Sequence, residues 1–363
     1  MIQSAVHLQD VDFISNLDFP WEELNGREVL VTGATGMVGS LLVDVLSGLS
    51  SEFGFDVVAM SRNGIELEER FRTWGGRSNL RLMEGDVNSI SDLNLDIVFH
   101  LASNTHPVQY STDPVGTIST NVMGLRNLLE MSRDSDGRFV FASSVEVYGQ
   151  NRGDVHAFDE SYCGYIDCNT VRAGYNESKR VGEALCQAYG SQYGVDFVIP
   201  RFSRLFGPTM RLNDTKAMSQ FIFAGVRGQP IVLKSAGNQL YSYCYSADAV
   251  SGMLTVFFKG ERGKAYNIAG SGCDVTLREA AEIVSEISGS ELRFDTPSDV
   301  EARGYSAATK ALLDTGLIRS LGWESRYDMR SALERTIITM SWTLFHFHAA
   351  VNDLRSGDRK EDA

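Results

Sequence analysis

The chain has 363 residues, with 33 Lys plus Arg against 47 Asp plus Glu and a formal net charge of −14. Hydrophobic residues make up 43% and charged residues 22%, a balance that excludes a mainly disordered chain. The acidic surplus excludes a broad basic face for nucleic acid or an anionic membrane, but leaves room for a local basic pocket around a phosphorylated small molecule.

The length suits two domains, or one large domain carrying a lobe. Five scattered cysteines, Cys163, Cys168, Cys186, Cys244 and Cys273, form no CxxC pair and read as free thiols in a reducing compartment. Residues 1–20 carry acids and no basic leader, and no run of 18 apolar residues exists. A soluble cytoplasmic chain without a membrane partner is expected.

Residues 1–27 read as an N-terminal extension packed on the body. Residues 28–31 (EVLV) form a short apolar run ending at Thr32-Gly33, the mark of a buried parallel strand. Residues 37–50 have helical spacing, with Val38, Leu41, Leu42, Val45 and Leu46 on one stripe. Strands follow at 56–60, 80–83, 97–100, 139–141 and 197–200, with helices at 116–132 and 173–193. This alternation predicts an α/β fold, a Rossmann-type doubly wound parallel sheet over 28–200. After Pro200 come short strands at 231–233 and 265–268 and helices at 217–227, 246–258 and 277–288. They predict a smaller α+β substrate lobe over 201–345, some of its segments returning to the sheet. Residues 346–363 end in a charged run and read as a solvated tail.

The first chemical motif is Thr32-Gly33-Ala34-Thr35-Gly36-Met37-Val38-Gly39, placed between a strand and a helix. Glycines there permit a tight turn and a close approach of backbone to a pyrophosphate, which the helix N-terminus attracts. Gly33, Thr35, Gly36, Met37, Val38 and Gly39 are therefore cofactor candidates. The second strand ends in Met60-Ser61-Arg62-Asn63, with no acid for a ribose 2′-hydroxyl. Arg62 leans the choice toward NADP, although it can also stack on the adenine of NAD. Asp86, followed by Val87, either reaches an adenine amino group or caps a turn.

Tyr175 and Lys179 are one helical turn apart. A tyrosine is a poor base near neutral pH, and a neighbouring ammonium favours its phenolate. Taken alone, YxxxK is a weak signal. It gains force from residues 139–144 (FVFASS), an apolar run ending in Ser143 and Ser144, as a strand tip at the ligand edge should. No His, Cys and carboxylate cluster has metal-ligand spacing, so no metal is expected. The serines lack a G-x-S-x-G elbow, which argues against a serine hydrolase.

Six stretches occur in the order TGATGMVG, His100-Leu101-Ala102-Ser103, Asn121, SSVEVYG, YNESK and Phe206-Gly207-Pro208. Together they resemble the extended short-chain dehydrogenase/reductase superfamily, in its nucleotide-sugar epimerase/dehydratase group, from about residue 28 to 342. The resemblance implies Ser144, Tyr175 and Lys179 as the catalytic set. It also implies cofactor contacts from Leu101, Ala102, Ser103, Asn121 and Phe202, besides Tyr175 and Lys179. Glu146 falls where the group's dehydratases hold a C5 base. The acid beside that base is replaced by Val145.

Residues 172–180 (RAGYNESKR), residues 207–214 (GPTMRLND) and Glu146 are most similar to UDP-glucuronate decarboxylases. That likeness implies Arg303 for a substrate carboxylate, unless Arg303 is a surface arginine. Two departures stand out. Arg204 replaces an asparagine, and Tyr241 replaces a diphosphate-binding arginine. Arg204 or Arg211 can supply the missing charge, since guanidinium suits phosphate. Ser103 and His106 are further candidates for contact with the sugar, His106 having a structural alternative.

The resemblance implies a tightly held NAD or NADP, a nucleotide-sugar substrate and oxidation at the sugar C4 to a 4-keto intermediate. Decarboxylation of UDP-glucuronate ranks first. A 4-epimerase or 4,6-dehydratase, an NADPH-dependent reductase and a non-catalytic dinucleotide sensor are the alternatives. The apolar face of residues 183–193 implies a homodimer through a four-helix bundle, or ordinary core packing.

Overall fold

Short, mostly buried strands build the central layer of the molecule. This computed structural model describes residues 4–357 except Asp92, Asn94, 106–111 and 296–308, with side chains through residue 344. In chain order the first half comprises α1 (Ala5–Ser15), β1 (Glu28–Thr32), α2 (Met37–Phe53), β2 (Asp56–Ser61), α3 (Gly64–Phe71), β3 (Leu80–Glu84) and β4 (Ile97–His100). Helices α4 (Pro114–Ser119) and α5 (Leu125–Met131) are joined by a π-helical turn, Thr120–Gly124. Then follow β5 (Arg138–Phe141), β6 (Ser143–Ser144), α6 (Ala173–Tyr193) and β7 (Asp196–Phe202).

The second half comprises β8 (Arg204–Phe206), α7 (Ala217–Val226), β9 (Ile231–Leu233), β10 (Leu240–Tyr245), α8 (Ser246–Lys259) and β11 (Ala265–Ile268). It ends with β12 (Asp274–Thr276), α9 (Leu277–Ser288), β13 (Leu292–Phe294), β14 (Lys310–Ala311), α10 (Gly316–Ser320) and α11 (Met329–Gly357).

The main sheet runs β11-β7-β5-β4-β1-β2-β3, with β6 beside β7, and each of these pairings is parallel. Strand alternation sends Val29 and Val31 to one face, against Leu42, Val45 and Leu46 of α2. Leu30 goes to the other face, with Leu125 and Leu128 of α5. Strand order reverses between β1 and β4, and ligands of such sheets bind at the carboxyl ends beside that switch. In the second half, β10 pairs with β8, β12 and β14, and β9 pairs with β13.

Helix α1 is pinned to the body by polar side chains. His7 Nε2 lies 2.8 Å from Asp44 Oδ2 of α2, and Arg335 of α11 donates to Asp10 Oδ1 at 2.6 Å. Helices α1, α3 and α11 and strand β10 go beyond the elements expected from sequence. Residues 346–357, expected as tail, continue α11 instead.

Candidate active site

One cavity of about 1330 Å³ follows the carboxyl edge of the main sheet and is closed on its far side by β9, β10 and the segment after β8. It exceeds the roughly 300–1,000 Å³ of a single-ligand pocket.

Its floor is the turn between β1 and α2. Gly33 has φ +68°, and a Cβ there would lie 2.9 Å from the backbone of Ala102. A Cβ on Gly39 would lie 2.4 Å from the Gly33 carbonyl oxygen. Only glycine lets the loop, β4 and α2 close this tightly. Gly36 is the N-cap of α2 and supplies no capping side chain, so the first amides of the helix face the groove. Buried His100 supports this floor from beneath. Its Nδ1 is 2.9 Å from Thr32 Oγ1, and burial pushes its ring down to about 3, so it stays neutral. Gly33, Thr35, Gly36, Met37, Val38 and Gly39 all line the cavity. These residues fit a dinucleotide pyrophosphate.

Arg62 lines the groove at the end of β2, with its guanidinium 3.3 Å from Asn104 Oδ1. Val87, Leu101, Ala102, Ser103 and Phe202 also line the cavity. Two expected cofactor residues stand elsewhere. Asp86 is off the cavity wall, and its Oδ1 accepts from Asn88 N at 2.9 Å, the turn-capping alternative. Asn121 is buried behind α6, where its Nδ2 donates to Ser178 Oγ at 2.9 Å; neighbouring Thr120 reaches the cavity instead.

Ser144, Tyr175 and Lys179 come together at the inner end of the groove. Tyr175 is hydrogen-bonded with Ser144. Burial pushes its hydroxyl up to about 12; Ser144 opposes the rise, Glu146 adds to it and Arg172 opposes it. The groups acting on Tyr175 are these three rather than Lys179, contrary to expectation. Lys179 instead donates to the Ala142 carbonyl at 2.7 Å and lies 4.8 Å from the Phe141 ring centroid. Burial pushes its ammonium down to about 7, against the opposing charge of Glu183. Ser143 donates to Glu183 Oε1 at 2.6 Å, and Arg201 grips the same carboxylate with two nitrogens. That leaves Ser144 as the hydroxyl paired with Tyr175.

Beside this cluster stands a carboxylate held between two arginines. Glu146 Oε2 is 3.4 Å from Arg172 and accepts from Asn176 Nδ2 at 3.0 Å. Its Oε1 is 3.6 Å from Arg204, whose guanidinium lies 3.8 Å from the Tyr241 ring centroid. Arg204 and Tyr241 therefore belong to the wall nearest the tyrosine. Arg211 does not join them. It bonds Thr35 Oγ1 at 2.7 Å and Glu66 Oε1 at 2.9 Å, over the glycine-rich loop. Sequence reasoning assigned no role to Arg172, Asn176 or Glu66, although the first two flank Tyr175 in the motif itself. His106 and Arg303 lie outside the described residues. Among the described residues, no group of three His, Cys, Asp or Glu side chains is placed to hold a metal ion.

A glycine-rich cradle at the head of α2 leads to a Ser–Tyr–Lys cluster at the end of the same groove. This arrangement defines a dinucleotide-dependent enzyme of the short-chain dehydrogenase/reductase type. Comparison with known proteins narrows the class. Residues 29–269 match the NAD dependent epimerase/dehydratase family. The chain is 32% identical over 315 residues to UDP-glucuronic acid decarboxylase 6 of Arabidopsis thaliana, covering 85% of this chain and 87% of that protein. It is 30% identical over 319 residues to UDP-glucuronic acid decarboxylase 1 of Xenopus tropicalis, covering 87% and 72%.

Among solved structures, UDP-glucose 4-epimerase from Thermotoga maritima superposes with a TM-score of 0.75 at 23% identity, over 87% of this chain and 99% of that one. UDP-glucuronic acid 4-epimerase from Bacillus cereus, in complex with UDP-glucuronic acid and NAD, superposes at 0.74 and 21% identity, over 87% and 99%. These two share the fold. The chain belongs to the NAD dependent epimerase/dehydratase family. That family gives no support to the lean toward NADP drawn from Arg62.

Proposed function

We propose that this chain oxidises C4 of a nucleotide sugar with NAD, and that its reaction is the decarboxylation of UDP-glucuronate. The observation carrying the reading is the Ser144–Tyr175 pair beside the Arg172–Glu146–Arg204 group, on a chain about 30% identical to UDP-glucuronic acid decarboxylases. Two cations against one anion leave a net positive charge on that wall, which suits a carboxylate on the sugar. Val145, where a dehydratase would hold its acid, is buried and apolar, so no proton donor for a leaving hydroxyl stands there.

The cradle from Gly33 to Gly39 would hold NAD, which when bound would supply the acceptor for the C4 hydride and the donor that restores it. Tyr175 takes the proton of the C4 hydroxyl while Ser144 shares the hydrogen bond. Tyr175 is a neutral phenol in the ligand-free chain, so its work as a base calls for a cation nearby, which Lys179, one turn away, supplies when it carries its proton. The resulting ketone lies β to the C5 carboxylate. The C5–carboxyl bond breaks, CO2 leaves, and the electron pair passes to the C4 oxygen, which Tyr175 and Ser144 hold. A proton from solvent adds at C5 and restores the C4 ketone; return of the hydride to C4, with the proton given back by Tyr175 to the C4 oxygen, would leave a UDP-pentose.

A second copy of the chain is the proposed partner. Leu185, Cys186 and Tyr189 of α6 pack inward, so the expected face over 183–193 belongs to the core. The support lies instead in exposed Val115, Ile118, Met123 and Val181, on α4, the π turn and α6. Among the described residues no helix is long and apolar enough to cross a membrane.

The test is mass spectrometry of UDP-glucuronate incubated with the purified chain and NAD+. Loss of CO2, abolished in Tyr175→Phe, is expected. An isomer of unchanged mass would replace this reading with 4-epimerisation, and turnover only with NADP+ would overturn the cofactor assignment.

A further inference from the structure

Residues 207–216 run from β8 to α7 along the side of the dinucleotide groove that faces the glycine-rich turn, anchored at both ends. A Cβ on Gly207 would lie 2.1 Å from Ser246 Oγ, so this glycine sits hard against the start of α8. At the other end, buried Asp214 accepts from Lys216 N at 2.9 Å and from Lys216 Nζ at 3.0 Å. Its carbonyl accepts from Gln220 Nε2 at 2.6 Å.

Between these anchors, three bonds reach the opposite wall. Thr209 Oγ1 donates to the Met37 carbonyl at 2.8 Å. One terminal nitrogen of Arg211 donates to Thr35 Oγ1 at 2.7 Å and pairs with Glu66 Oε1 at 2.9 Å. Thr35 and Met37 flank Gly36, the N-cap of α2, and Glu66 stands in the first turn of α3 just after β2. All three bonds therefore cross the groove where a pyrophosphate and its adenosine side would lie.

We propose that residues 207–216 form a clasp over the bound dinucleotide, with Thr209 and Arg211 as positioning residues that hold it through turnover. This rests on the reading that the groove binds a dinucleotide, not on which sugar is turned over. Arg211 and Glu66 are each 39% exposed, and an ion pair that open adds little to fold stability. Its geometric consequence is larger than its energetic one: it ties the segment after β8 across a floor made of backbone amides. Closure matters because the reaction takes a hydride out and puts it back. A dinucleotide that left midway would strand the oxidised sugar.

The test is the release rate of NADH from the loaded full-length chain, followed by fluorescence after mixing with excess NAD+. Arg211→Ala and Thr209→Val are each expected to release NADH roughly tenfold to hundredfold faster, the loss that follows removal of a charge-assisted or part-buried hydrogen bond. Arg211→Lys is expected to stay near the wild-type rate, because an ammonium can serve both acceptors. A purely structural segment would lower the melting temperature without changing release. Wild-type release from both Arg211→Ala and Thr209→Val, each still folded, would overturn the clasp alone. A wild-type chain that binds no NADH would overturn the dinucleotide reading and the clasp together.

Discussion

The two walls of the cavity are made of opposite materials. The cofactor side is backbone: glycines at 33, 36 and 39, an open helix N-terminus and the ends of parallel strands. The proposed sugar side is charge: Glu146 between Arg172 and Arg204, with Tyr241 under the second guanidinium. A backbone wall tolerates no added atom, whereas a charged wall can be retuned one residue at a time. Breaking the first should abolish binding, and altering the second should shift which sugar is accepted.

The largest effect is expected at Gly39. A branched side chain there must displace the Gly33 carbonyl, so Gly39→Val should purify with bound NAD reduced to background, read from the absorbance of the denatured supernatant. Tyr175→Phe comes next. Turnover should fall about 10²–10⁴-fold while NAD content stays unchanged, because only the proton transfer is removed. Arg204→Ala should raise KM for UDP-glucuronate by roughly tenfold or more, with kcat changed less, and should leave UDP-glucose binding unaltered. Equal losses for both sugars would show that the charged wall does not read the carboxylate.

The smallest effect concerns pH. The folded value of Lys179, about 7, lies below its ordinary 10.5, so between those values the unfolded chain binds more protons. Stability then rises with pH across that window. The melting temperature of the ligand-free wild type should climb relative to Lys179→Met from pH 7 toward pH 10; parallel curves would show that this ammonium carries no burial cost.

The contrast also governs what could be read from the residues alone. Parallel strands and the glycine-rich turn are local patterns, so β1, α2, α6 and β7 fall within a few residues of expectation. Helix α11 hides because its apolar residues face a lobe assembled from distant segments, and the charged run after Arg355 looks like a tail. Strand β10 hides in residues 240–245, of which the sequence marked only Tyr241, as a departure rather than as part of a strand. Asp86 and Asn121 carry side chains of the expected type, yet Asp86 caps the turn at Asn88 and the Asn121 amide nitrogen is engaged by Ser178. Arg211 illustrates the limit best. Its charge was legible, but its partners, Thr35 and Glu66, lie 176 and 145 residues away in sequence and meet it only in the fold.

The most direct test of the account carries deuterium on C4 of UDP-glucuronate. If the hydride leaves C4 for NAD held on the backbone wall and returns after the carboxylate is lost on the charged wall, the UDP-pentose must lack CO2 and still carry the deuterium. A pentose without the label would mean that the hydride does not return, and an unchanged uronate would mean that the two walls do not serve this reaction.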